Sequence, residues 1–210
     1  MNINFTILDA AGKLNKYVNI LEEIAKKSIN ETVNKIPVDN VNIVFYDAKF
    51  RNTEGFGFGG YTLTNNLLMI PIDSKFESLE ESVKKNLSRL IVHELYHCLR
   101  DYSFEGQPTL LESLINEGLA DCFEIEISNE KPSLLDTALN ENQLQKFNEQ
   151  AKKEYNNKEY NHDAWFFGTT DDIPKWTGYT LGFFLVKNYL EKHPKEKPST
   201  IYGLKAEEFV

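Results

Sequence analysis

The sequence predicts an α+β fold in which a long amphipathic helix comes first, short strands follow, and helices fill the remainder. Three observations carry that expectation. Apolar residues recur at helical spacing before Pro37, the run VNIVFY has the β-branched and aromatic make-up of a strand, and helical periodicity returns after Ser74.

Taken in order, Leu14, Val18, Ile20, Leu21, Ile24 and Ile29 predict one helix from about Leu8 to Asn34, closed before Pro37. Val41 to Tyr46 reads as a strand bounded by Asp and Asn. A loop from Asp47 to Gly60 leads to a second extended stretch, Tyr61 to Ile72, with a turn at Asn65-Asn66. Pro71 has no amide proton, which predicts an edge or a strand end for the second half of that stretch. Ser74 and the acidic Glu77, Glu80 and Glu81 supply the start of a helix that continues through Leu87, Leu90, Ile91, Leu95 and Cys98 to about Arg100. Beyond a loop with Gly106 and Pro108, helices are predicted at about Thr109 to Ile127, Gln143 to Tyr155 and Lys175 to Lys192.

A chain of 210 residues can bury a substantial core as a single domain, residues 1–210, with an α/β lobe over 1–100 and a mainly helical lobe over 101–210. The net charge of -9 argues against nucleic acid or an anionic membrane as a partner, since both need clustered Lys and Arg. Neither a signal peptide nor a membrane-spanning stretch stands out, so a cytoplasmic location is expected. Cys98 and Cys122 do not make a disulfide framework. Each sits one position past a residue of the candidate site and is expected to point into the core as a buried thiol.

The helix ending near Arg100 contains His93-Glu94-Leu95-Tyr96-His97, the H-E-x-x-H pattern of zinc hydrolases. Residues i and i+4 lie one above the other on a helix face, so His93 and His97 can reach one tetrahedral ion. Glu94 falls beside them and is the candidate general base for a metal-bound water. A catalytic zinc also needs a third protein ligand and an open fourth position. Glu117, in Asn116-Glu117-Gly118-Leu119-Ala120-Asp121, suits that place, twenty positions after His97 on the next predicted helix. Asp121 shares its face one turn on and is expected to accept the free ring N–H of a ligating histidine. Leu110, Leu111, Leu114, Ile115, Leu119 and Phe123 leave this helix few solvent-facing positions, which weighs against a merely solvated acidic face. Gly55, Gly57 and Gly60 spell G-x-G-x-x-G, but YTLT follows where a dinucleotide site would open a helix, so flexible backbone near a cleft is the better reading.

H-E-x-x-H with a separated N-E-x-x-x-D resembles the gluzincins, the thermolysin-like clan of zinc metallopeptidases. More narrowly, GGYTLTNNLLMIPID, HELYHCLRDY, TLLESLINEGLAD, NHDAWFFG and IPKWTGYTLGFFLVKNYL resemble the YjaZ-like family of predicted zinc-dependent proteases, a likeness running from about Gly59 to Leu190. The resemblance implies a minimal zincin: a small mixed sheet with the active-site helix, a second ligand helix and a helical C-terminal lobe. It implies one Zn²⁺ ion and a peptide or protein substrate. It further implies an edge strand that pairs with the substrate backbone, by position Gly60, Tyr61 and Thr62, and an oxyanion donor from the C-terminal lobe, with Tyr179 first and His162 second. His193 stays outside the metal set. The competing reading is a zinc-stabilised binding or regulatory protein with a protease-like cleft and little or no hydrolysis.

Overall fold

Alternation of buried and exposed residues builds the sheet of the computed structural model, which describes residues 2–50, 52–100 and 107–210. Gly106 of the predicted connecting loop and position 51 of the loop after the first predicted strand lie outside the described residues. Among the described residues the strands are β1 (Ile3–Leu8), β2 (Val41–Asp47), β3 (Tyr61–Thr64) and β4 (Leu67–Ile72), in the order β1-β2-β4-β3. β1, β2 and β4 run parallel, and β3 is antiparallel to β4 at one edge. The helices are α1 (Val18–Val33), α2 (Leu79–Leu99), α3 (Leu110–Ser128), α4 (Glu141–Lys152), α5 (His162–Phe167) and α6 (Thr177–Lys192). A mixed sheet beside this many helices is the α+β class that the sequence predicts. No helix among the described residues is long and apolar enough to cross a membrane.

The chain divides into two compact units, residues 1–102 and 103–210. In the first, Val41, Ile43 and Phe45 of β2 and Leu68, Ile70 and Ile72 of β4 are fully buried on one sheet face. Each such side chain contributes roughly 1.5–3 kcal/mol of transfer free energy. α1 packs against β1 and α2, and α2 also packs on β3 and β4, so both helices cover that face. Ser28 and Ser88 share a hydrogen bond of 2.9 Å between the two helices.

Several expectations for this unit change. The first helix begins at Val18 and not near Leu8, because Gly12, at φ +69°, closes a turn on Asp9 and the Asp9 carboxylate accepts the Leu14 amide. The residues before that turn form β1, whose alternation of half-buried and exposed side chains is a short period-2 pattern. β4 is an inner strand and Pro71 is its next-to-last residue, so of the two expectations for Pro71 the strand end holds and the edge does not. The Pro71 carbonyl accepts the Gly59 amide, so the missing N–H faces the side where β3 has ended and costs no bond to β2. α2 starts at Leu79, later than the Ser74 signal, and its N-cap Ser78 makes no side-chain capping bond.

In the second unit α3 and α6 form the densest helix pair. Their backbones meet at two glycines: a Cβ on Gly118 would lie 2.1 Å from the Gly182 carbonyl oxygen, and one on Gly182 would lie 2.1 Å from that of Leu114. Thr109 and Glu112 make a reciprocal capping box that fixes the start of α3, and Asn140 with Gln143 does the same for α4. Trp176 has φ +67°, so α6 opens at Thr177, two residues past its expected start.

Candidate metal centre

His93 and His97 sit in the last two turns of α2, a helix with an otherwise apolar buried face. Their rings meet edge to face at 4.6 Å, and their Nε2 atoms are 3.0 Å apart. Two imidazole nitrogens bound to one tetrahedral zinc at about 2.0–2.1 Å stand roughly 3.3 Å apart, so the pair is pre-shaped for a shared ion. His97 is 3% exposed and His93 is half-buried.

Glu94 is 6% exposed, and the side chain around it explains its setting. Thr62 of β3 donates its hydroxyl toward Glu94 Oε2 at 3.0 Å and toward the Glu94 carbonyl at the same distance. Gly60 comes so close that a Cβ there would lie 2.9 Å from Glu94 Cγ and 3.0 Å from Oε1. The carboxylate is therefore held at Oε2 by Thr62, and Gly60 leaves room for Oε1. Thr62 and Gly60, expected on a substrate-binding strand, face Glu94. Tyr61 points to the other face of the sheet, where its hydroxyl meets that of Tyr46 at 3.0 Å. β3 lies at one edge of the sheet.

Glu117 and Asp121 lie one turn apart on α3, Glu117 half-buried and Asp121 7% exposed. Both stand on a helix that is otherwise almost entirely buried, with Leu114, Ile115, Leu119 and Phe123 at 0% exposure. Gly118, beside Glu117, is the point at which α6 crosses. His93, His97 and Glu117 form a group that could hold a metal ion, each offering one ligand atom. Two imidazoles and a carboxylate are the donor set of a catalytic zinc centre with an open position.

His162 is the first residue of α5. Its ring stacks on Phe166 at 4.5 Å, and Phe166 is in turn met edge-on by Tyr179 at 5.2 Å. Burial against this aromatic group lowers the His162 pKa below the usual histidine value, against the opposing pull of Glu117 and Asp163, while the residue stays exposed to solvent. Tyr160, which carries no motif, hydrogen-bonds both Ser113 and His162. Its contacts span 47 residues of sequence on the Ser113 side, so no local pattern could have announced them. His193 is exposed and stacks on Tyr189, outside the metal group.

Both cysteines are free and buried. Burial pushes the Cys98 thiol up to about 12, with a lowering contribution from the Thr62 contact, and burial likewise pushes Cys122 well above its ordinary value. A recess of about 510 Å³ lined by Phe5, Ile7, Asp9, Ala10, Asn15, Val18 and Glu22 shares no residue with the histidine pair.

A family model described as "Predicted Zn-dependent protease (DUF2268)" matches residues 21–210. The match reaches further toward both ends than the stretch from Gly59 to Leu190. No curated protein and no solved structure matches the chain.

Proposed function

The chain belongs to the family of predicted Zn-dependent proteases, and we propose that it hydrolyses peptide bonds at one zinc ion held by His93, His97 and Glu117. The observation that carries this reading is the seating of Glu94. A carboxylate beside a metal-type histidine pair, buried, and held through one oxygen by Thr62, is what a general base requires. A purely structural zinc site has no use for it.

Bound zinc would lower the pKa of water from 15.7 toward about 7 and polarise the scissile carbonyl. Glu94 then takes the proton of the attacking water on Oε1, the oxygen that Thr62 leaves free, and passes it to the departing amine. Asp121, one turn past Glu117, would orient a ligating imidazole through its second ring nitrogen. β3 would receive the peptide backbone as an added strand at its outer edge, with Gly60, Tyr61 and Thr62 at the entry to that edge. Tyr179, which meets Phe166 edge-on, is proposed as the hydrogen-bond donor to the developing oxyanion, and His162, stacked on the same ring, is proposed to meet the substrate beside it.

Glu94→Gln tests the assignment, because it keeps the shape of the side chain while removing the base. The variant should retain one zinc per chain and lose hydrolysis of a peptide library that the wild type cleaves. Peptide bound but left uncut by zinc-loaded wild type would instead support the binding-protein reading.

A further inference from the structure

The side chains around His162 fix more than its place. Tyr160 donates its hydroxyl proton to Ser113 Oγ at 2.7 Å, and the same oxygen lies 3.0 Å from His162 Nδ1. A phenol has one proton to give. With that proton directed at Ser113, the contact to Nδ1 is a hydrogen bond only if Nδ1 carries the hydrogen and the Tyr160 oxygen accepts it. Neutral imidazole has one N–H, so Nε2 must then hold a lone pair.

Stacking sets the plane of the ring, and of the two orientations in that plane the one observed puts Nδ1, not carbon, against the Tyr160 oxygen. One face lies on Phe166 with an interplanar angle of 20°, and Phe167 meets the ring at 5.8 Å and 66°. Phe166 is itself fixed by Tyr179 and by Gly178, where a Cβ would fall 2.6 Å from the Phe166 ring. The N-cap bond from the Ala164 amide to Asn161 Oδ1, 3.0 Å, ties down the backbone from which the ring projects. His162 Nε2 has no hydrogen bond among the described residues, and the residue is exposed.

We infer that Tyr160 is a positioning residue that, with Ser113 behind it, holds neutral His162 as the Nδ1–H tautomer, so that His162 presents Nε2 to its ligand as a hydrogen-bond acceptor. The ligand chemistry that fits is an N–H: an amide of a bound peptide or the amine released from it. Stabilising an oxyanion needs a donor, the opposite polarity, so neutral His162 does not serve as oxyanion donor and Tyr179 is left with that role. The identity of the ligand as a peptide rests on the proposed hydrolysis; the tautomer does not.

The test is the ring-nitrogen NMR spectrum of ¹⁵N-histidine-labelled full-length protein at about pH 8, above the ordinary histidine pKa of about 6.5. His162→Gln assigns the signals. Wild type should show a protonated Nδ1 and an unprotonated Nε2 on His162. Ser113→Ala frees the Tyr160 proton to turn toward Nδ1 and should convert His162 to the Nε2–H tautomer. Tyr160→Phe removes the acceptor and should release the fixed tautomer into a mixture. A structural role for Tyr160 alone would not move the proton from one nitrogen to the other on removal of a serine hydroxyl. An Nε2–H signal in wild type, or an unchanged tautomer in both variants, overturns the inference. Failure of the zinc-loaded protein to cleave any peptide would overturn the proposed hydrolysis and leave the tautomer result standing.

Discussion

Glu94 has two oxygens with different surroundings, and Thr62 makes the difference. Thr62→Val keeps the volume and removes the hydroxyl that donates to Oε2, so the carboxylate loses its fixed rotamer without losing its burial. We expect kcat to fall about tenfold, equivalent to roughly 1.4 kcal/mol, with KM and zinc content little changed. A KM increase at constant kcat would instead assign Thr62 to substrate binding. At the same scale, Cys98 lies under Thr62 with its thiol pushed up to about 12. Neither cysteine should react with iodoacetamide at pH 8 in the native protein, and both should react after unfolding. Stoichiometric labelling of the native protein would contradict the burial of these thiols.

Helices whose ends are set by local chemistry were readable, and those set by tertiary contacts were not. Thr109 and Glu112 announce the start of α3 by a three-residue spacing, and the structure places the helix start within a residue of the expected one. Gly12 gave no comparable signal that the apolar periodicity around Leu14 belonged to a turn and a later helix, because its positive φ appears only in the folded chain. Pro71 left an edge and a strand end open, because the cost of a missing N–H depends on which neighbour it faces. The α3–α6 crossing is likewise invisible in sequence, since Gly118 and Gly182 are 64 positions apart. It gives a clear prediction. Gly182→Ala forces a methyl against the Leu114 carbonyl, and we expect a loss of about 1–3 kcal/mol in denaturant unfolding, with Gly203→Ala, where nothing lies within 4 Å, as the near-neutral control. Equal stability of the two variants would refute the close crossing.

Across the whole chain, the histidine pair and Glu94 could be picked out because one helical turn brings them together, and Glu117 because Leu110, Leu111, Leu114, Ile115, Leu119 and Phe123 leave its helix few solvent-facing positions. The Thr62–Glu94 and Ser113–Tyr160–His162 contacts were not, because they join positions 32 and 47 residues apart. Global stability should respond to acid in a defined way. Lys13 hydrogen-bonds Asp47, with Ser74 adding to the effect, and together they hold that carboxyl below its ordinary value. A depressed carboxylate pKa contributes stability that is present above the unfolded value and lost as pH falls through the folded one. The stability difference between wild type and Asp47→Asn should therefore be present at pH 7 and close below about pH 4. A difference that persists undiminished at pH 2 would assign it to something other than the carboxylate charge.

Whether one zinc ion on this chain drives peptide hydrolysis is decided by titrating Zn²⁺ into chelator-stripped protein while following cleavage of a peptide library by mass spectrometry. Cleavage should rise from nothing to a plateau at one equivalent of zinc. Cleavage that is already complete in the stripped protein, or a library still intact at saturating zinc, would contradict it.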